Sequence, residues 1–306
     1  GDWTAFVSGP QAAASGRRVG WDLPDRDLAI IDASTLAVRY ASGLMNLNMA
    51  LAVNPASGEV GVVGTEALNE VRFEPNVNSR FVRVRLARVD PAPGGGKALS
   101  DLNPHLDYAQ ATRPQSERAL SLGDPRALVY RADGQRAWVA GMGSNNVVAI
   151  DAQGRRVGAP IAVGAGPVAL ALDEPRRRLY AWNHFDATLS TIDIDGGREL
   201  GRVAAFNPLP AAIRAGRPFL YDTHLTSGLG QASCASCHVD GRMDRLAWDL
   251  GDPSQPPARF DQNCGTTLGA IACQDFHAMK GPMTTQTLQD IIGHEPFHWR
   301  GDRAGL

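Results

Sequence analysis

No stretch of this chain reaches the roughly 18 consecutive apolar residues that a membrane-crossing helix needs, so the sequence offers no transmembrane segment. An excess of one charge is missing too: 30 Lys and Arg stand against 32 Asp and Glu, a formal net charge of −2. That balance argues against nucleic acid or an anionic membrane surface as a partner. There is no initiator Met and no signal peptide at Gly1, so the chain is expected to be mature or trimmed. Cysteine is scarce, with four in 306 residues. What is present supports ordinary folding: at 43% hydrophobic and 20% charged, the chain can build two domains, or one large domain with an appendage.

Two of the four cysteines stand in Cys234-Ala235-Ser236-Cys237-His238. C-x-x-C-H is the attachment pattern of a c-type haem. Two thiols three positions apart can each form a thioether to one porphyrin edge, and the next His can then ligate iron axially. The competing readings are a redox dithiol and half of a zinc site. The first would want a thioredoxin-like βαβ context and the second another Cys/His pair at suitable spacing. Neither is evident. Cys264 and Cys273, nine apart, are expected to form a small-loop disulfide, since haem attachment implies an oxidising compartment; two separate buried thiols are the alternative. Both pairs point to the periplasm, the cell surface or the extracellular space.

Before the motif the chain reads as strands. Leu28–Ile31 is a short apolar run between aspartates, and Met49–Val53 and Glu59–Val63 flank Asn54-Pro55-Ala56-Ser57-Gly58 as a hairpin. Phe81–Val89 alternates apolar and basic residues, predicting one buried and one solvated face. A repeat follows with a constant offset: Pro125-Arg126-Ala127-Leu128-Val129 matches Pro167-Val168-Ala169-Leu170-Ala171, Arg136–Ala140 matches Arg178–Trp182, and Asn146–Asp151 matches Thr188–Asp193. A spacing in the 40–45-residue range is the period of a propeller blade, and such units bury their sheets by stacking. These blades resemble the YVTN-type β-propeller repeats of secreted bacterial proteins, without the tetrapeptide itself. The expected organisation is an all-β propeller over 1–205, with three readable blades plus a partial one. His105, His184 and the Trp residues of this half are assigned no chemistry. No nucleophile–base pair suggests a hydrolase and no signature suggests a quinoprotein. Asp193-Ile194-Asp195-Gly196 reads as a turn, though a bound Ca²⁺ is left open.

From Phe206 the strand pattern stops. Pro210–Gly216 is expected to form a short helix ending at glycine. Phe219-Leu220-Tyr221-Asp222-Thr223-His224-Leu225-Thr226, Ser233–His238, Thr285-Gln286-Thr287-Leu288-Gln289-Asp290 and Pro296-Phe297-His298-Trp299-Arg300-Gly301 together resemble the bacterial di-haem cytochrome c peroxidases and MauG-like proteins. The resemblance implies that 206–306 is a mainly α-helical cytochrome c-type domain, either cut short before a second haem domain or a mono-haem offshoot of the family. It also implies a haem c held by Cys234 and Cys237 and ligated by His238, with a second haem conceivable beyond Leu306. Two departures stand out: the chain has a single C-x-x-C-H, and Gln286 occupies the family's proline position.

For the sixth iron position the resemblance favours His298, with His277, Met279 and Met283 as alternatives and His294 and Met243 also in range. Trp299 is similar to the family's tryptophan between the haems. It would relay electrons if a second haem exists, or else wall the pocket; His224 would at most support the haem indirectly. The expected function is redox chemistry at the His238-ligated haem, in the manner of a peroxidase or MauG-like oxidoreductase with peroxide and a redox partner protein. The alternatives are an electron-transfer cytochrome whose propeller docks a partner, and a propeller scaffold with structural haem.

Overall fold

The computed structural model describes Ala13 and residues 26–68, 81–248, 258–259, 275–276 and 283–294. The chain divides into two compact units, Gly1–Leu44 and Met45–Leu306. In the first, β1 (Leu28–Ile31) and β2 (Val38–Ala41) pair antiparallel. Asp32 shapes their turn by accepting from the backbone N–H groups of Ser34 and Thr35, at 3.0 and 2.7 Å.

Among the described residues the second unit holds three four-stranded antiparallel meanders. The first comprises β3 (Leu47–Val53), β4 (Val60–Ala67), β5 (Val82–Val89) and β6 (Lys97–Asp101). The next two are β7 (Pro125–Tyr130), β8 (Arg136–Gly141), β9 (Asn146–Asp151) and β10 (Arg156–Ala162), then β11 (Pro167–Asp173), β12 (Arg178–Asn183), β13 (Thr188–Asp193) and β14 (Arg198–Ala204). Each strand of the third sheet begins 42 residues after its counterpart in the second (167 − 125, 178 − 136, 188 − 146, 198 − 156). The repeat is therefore carried into the strands one for one, and the architecture is propeller-like.

Strand alternation explains the stacking. Along β8, Ala137 and Val139 enter a core shared with Val63, Val84 and Leu86 of the first sheet. Trp138 and Ala140 enter a second core with Leu179, Ala181 and Ile192 of the third. Successive side chains point to opposite faces, so the middle sheet is buried on both. The same placement corrects one expectation for β5. Arg83 is buried, with its guanidinium 3.5 Å from the centroid of the Tyr108 ring, and Arg88 pairs with Glu59 at 3.3 Å. Both faces of β5 are covered by neighbouring chain, and its basic residues are accommodated by stacking and pairing.

The expected mainly α-helical haem domain is not what forms. Among the described residues beyond 205 the helices are Ala211–Tyr221 and the single turn Thr223–Thr226. With Gln115–Arg118 upstream, these three are α1 (Gln115–Arg118), α2 (Ala211–Tyr221) and α3 (Thr223–Thr226). The rest of the described segment is two 3₁₀ turns, extended chain and two pairs of two-residue strands, β15 (Ala247–Trp248) with β18 (Met283–Thr284) and β16 (Ala258–Arg259) with β17 (Asp275–Phe276). Helix α2 also runs through Gly216 and Pro218, past the expected stop at glycine. Neither residue ends it, because the solvent-facing turns tolerate a missing Cβ and one missing N–H donor.

Long-range polar contacts tie this segment to the blades. Thr223 N–H donates to the Gly143 carbonyl at 2.8 Å, and His224 Nε2–H donates to the Ser121 carbonyl at 2.9 Å. Ser121 Oγ–H in turn donates to the Leu229 carbonyl at 2.8 Å. The close approach needs glycine: a Cβ on Gly123 would sit 2.5 Å from Thr223 Cγ2, and one on Gly143 would sit 2.7 Å from it.

Candidate functional site

The C-x-x-C-H segment is a single tight turn. Cys237 N–H and His238 N–H both donate to the Cys234 carbonyl, at 3.2 and 2.9 Å, and Ser233 N–H donates to Ser236 Oγ at 3.0 Å. The turn brings both thiols to one short stretch of backbone, and both are free. Cys234 is exposed, while Cys237 packs against an apolar cluster of Val82, Ala232 and Trp248 flanked by Phe81 and Leu246. Phe81 and Trp248 meet edge-on, with ring centroids 5.2 Å apart.

Asp244 organises the floor beneath Cys237. Its carboxylate accepts from Trp248 Nε1–H and from Leu246 N–H, each at 2.9 Å. Burial first, then Asp244 and Cys234, leave the Cys237 thiol pushed up to about 12. It is a neutral thiol at ordinary pH, whereas dithiol exchange depends on an activated thiolate. Conversion to a neutral thioether leaves no charge to bury.

His238 is placed by a second strand of chain. Its Nδ1 lies 2.8 Å from the Gln286 carbonyl. A carbonyl oxygen only accepts, so Nδ1 carries the proton and Nε2 is the basic nitrogen. That is the tautomer a metal-ligating imidazole presents. The segment around Gln286 lies along the motif through Leu288 N–H to the Gly241 carbonyl at 3.1 Å and Thr285 N–H to the Leu246 carbonyl at 3.3 Å. Pairing of β15 (Ala247–Trp248) with β18 (Met283–Thr284) continues the contact. After His238 the backbone turns through Asp240 and Gly241, both left-handed at φ 54° and 71°. Arg126 holds that turn: Nη2 donates to Asp240 Oδ1 at 3.0 Å and Nε to the buried Asp124 at 2.8 Å.

The structure thus brings together Cys234, Cys237, His238 and the Thr285–Asp290 stretch. The residues fit a haem in three respects: free thiols on one turn, an imidazole protonated at Nδ1 with Nε2 left free to ligate, and an apolar wall beside it. Met283 lies on β18, Met243 is partly exposed, and the exposed His294 has Nε2 3.7 Å from Asp290 Oδ2. His298, His277, Met279, Trp299, Cys264 and Cys273 lie outside the described residues. Among the described residues no group of three or more His, Cys, Asp or Glu is arranged to hold a metal ion by itself. His224 is committed to Ser121. Sequence reasoning missed the Asp244 floor and the Arg126–Asp240 pair; Arg126 and Asp240 are 114 positions apart, and nothing local marks either contact.

No protein-family model matches the chain, and no curated protein matches it. Among solved structures it is similar to hydrazine synthase of Kuenenia stuttgartiensis, at 15% identity over 53% of this chain and 50% of that one, with a TM-score of 0.43. It is similar to a streptogramin B lyase, at 14% identity over 60% and 49% of the two chains and a TM-score of 0.39. A third is apo AztD from Citrobacter koseri, at 13% identity over 59% and 43% with a TM-score of 0.37. The chain spans half or less of the length of each.

Proposed function

We propose that this chain is a redox protein of an oxidising compartment, the periplasm or cell surface, that carries one covalent haem c on a propeller-like body. Cys234 and Cys237 are the thioether residues and His238 is the axial ligand. The observation that carries the reading is the bond from His238 Nδ1–H to the Gln286 carbonyl at 2.8 Å, next to two free thiols of a C-x-x-C-H turn. When bound, haem supplies one-electron chemistry and, with an open iron position, peroxide activation.

The chain's own contribution is positional. Gln286 fixes the imidazole tautomer, and Arg126 ties the left-handed turn after His238 to the second sheet. Phe81, Val82, Leu246 and Trp248 supply a dry wall, which sets the dielectric beside the cofactor. Such an arrangement supports an oxidoreductase of the cytochrome c peroxidase or MauG-like kind, served by a redox partner protein.

A pyridine haemochrome assay on protein matured with a c-type attachment system tests the proposal. The expected result is one covalently bound iron porphyrin per chain, not extractable with acidic acetone. Cys237→Ala is expected to move the haemochrome band to the single-thioether position. Absence of covalent porphyrin in the matured wild type overturns the reading. Peroxide titration then assigns the chemistry. Rapid reaction of a high-spin ferric haem is expected, whereas an inert low-spin spectrum reassigns the protein to electron carriage.

A further inference from the structure

A second site lies away from the C-x-x-C-H turn. Helix α2 covers the loop ends of the second and third sheets and leaves a cavity of about 190 Å³ between them. Its lining includes Met142 from the β8–β9 turn, Phe185 from the β12–β13 turn, and Arg214, Arg217 and Tyr221 from the helix. The helical spacing i, i+3, i+7 puts the last three on one face.

The polar groups there are unequally satisfied. Asp186 and Asp222 also line the cavity, but their carboxylates are engaged. Asp186 Oδ2 accepts from Ala165 N–H at 2.6 Å. Asp222 accepts from Leu225 N–H at 2.9 Å and from Asn145 Nδ2–H at 3.1 Å. Arg217 differs: its guanidinium carbon stands 4.6 Å from the centroid of the Phe185 ring, yet its Nη1 is shielded from solvent with no hydrogen-bond partner among the described residues. A buried donor of a charged group left without an acceptor is costly, and native structures rarely leave one so. Phe185 and Tyr221, with ring centroids 4.8 Å apart, add an aromatic surface beside it.

We propose that this cavity binds a small aromatic carboxylate. The carboxylate accepts from the Arg217 fork, Arg214 adds charge at the rim, and the ring lies against Phe185, Tyr221 and Met142. Guanidinium is suited to this role because its planar donors match a carboxylate's two oxygens. The site involves none of the haem-attaching residues and stands whether or not the haem assignment does.

The test is ¹⁹F NMR titration of the full chain with 4-fluorobenzoate, with fluorobenzene as the neutral probe and inorganic phosphate as a competitor. Saturable 1:1 binding is expected, weakened at least tenfold by Arg217→Gln and at least tenfold for fluorobenzene. If Arg217→Gln fails to fold, Ala165→Leu, which fills the cavity from the loop before β11, must produce the same loss. No saturable binding, equal affinity in the variant, or equal affinity for fluorobenzene overturns the site. Tighter binding of phosphate than of 4-fluorobenzoate overturns the aromatic part of the assignment. On haem-loaded protein the Soret band is expected to stay unchanged through saturation, and a shift that tracks occupancy would relocate the ligand to the iron.

Discussion

His105 shows how a residue with no chemistry in the sequence reading acquires a physical role. Its Nε2 is 3.2 Å from Ser121 Oγ. Burial first, and the neighbouring Arg156 second, hold its pKa below the ordinary histidine value, against smaller opposing effects from Asp101 and Glu117. The folded state therefore prefers the neutral ring. The unfolded chain takes up a proton as pH falls through about 6.5, so this contribution is complete above that value and is lost as pH drops through it. His105→Gln removes the titration. The fall in melting temperature from pH 7.5 to 5.5 should be shallower in the variant than in the wild type, and equal slopes would sink the argument. The motif residues were the most legible part of the molecule at this scale. Cys234, Cys237 and His238 announce themselves by a spacing that chemistry dictates. Gln286 could be found only as a departure from a family pattern. Its role is played by a backbone carbonyl, which any residue could present, so side-chain identity could not reveal it.

Among elements, the blades were readable because their determinants are local. A 42-residue offset repeats strand for strand, and alternation along β8 and β9 assigns their apolar side chains to one of two cores. The connection between the first and second sheets was not readable. There Asn103, fully buried, closes a two-way clasp: its Nδ2–H donates to the Leu122 carbonyl at 2.9 Å, and its Oδ1 accepts from Leu122 N–H at 2.7 Å. Asn103→Leu keeps the branched shape of the side chain, though not its smaller volume, and strands both backbone groups in the interior. Each such group costs about 1–3 kcal/mol, so a loss of roughly 2–6 kcal/mol is expected in denaturant unfolding. A loss under about 1 kcal/mol would mean that water enters and satisfies them. The mainly helical reading of 206–306 failed for a related reason. It rested on what haem domains of a similar family look like, while the described chain satisfies its backbone by docking on loop ends and by β15–β18 pairing.

For the whole molecule, the question is whether the motif-bearing segment is a domain or a part of the propeller-like body. Residues 206–248 fall in the same compact unit as the three sheets. They also interlock with them at points far apart in sequence. Thr223 binds Gly143, His224 and Leu229 both meet Ser121, Gln231 reaches the Val82 carbonyl at 3.2 Å, and Asp240 meets Arg126. The middle sheet stays packed on both faces without this segment, so the blades should still form. The sheet ends, however, lose their cover: Leu122 and Leu229 are fully buried with Ser121 between two chain segments. A chain ending at Ala205 is therefore expected to melt well below the full-length protein, with a less cooperative transition. The check is calorimetry of both chains at one pH and salt concentration. If the shortened chain melts at the same temperature with the same sharpness, the segment is an independent appendage. The contacts through Ser121 and Gly143 would then contribute nothing measurable to the body that carries them. If it melts lower, the same contacts give a route by which a partner docked on the sheets could shift the turn that holds His238, because Arg126 belongs to β7 and its bond to Asp240 ends two residues from that histidine.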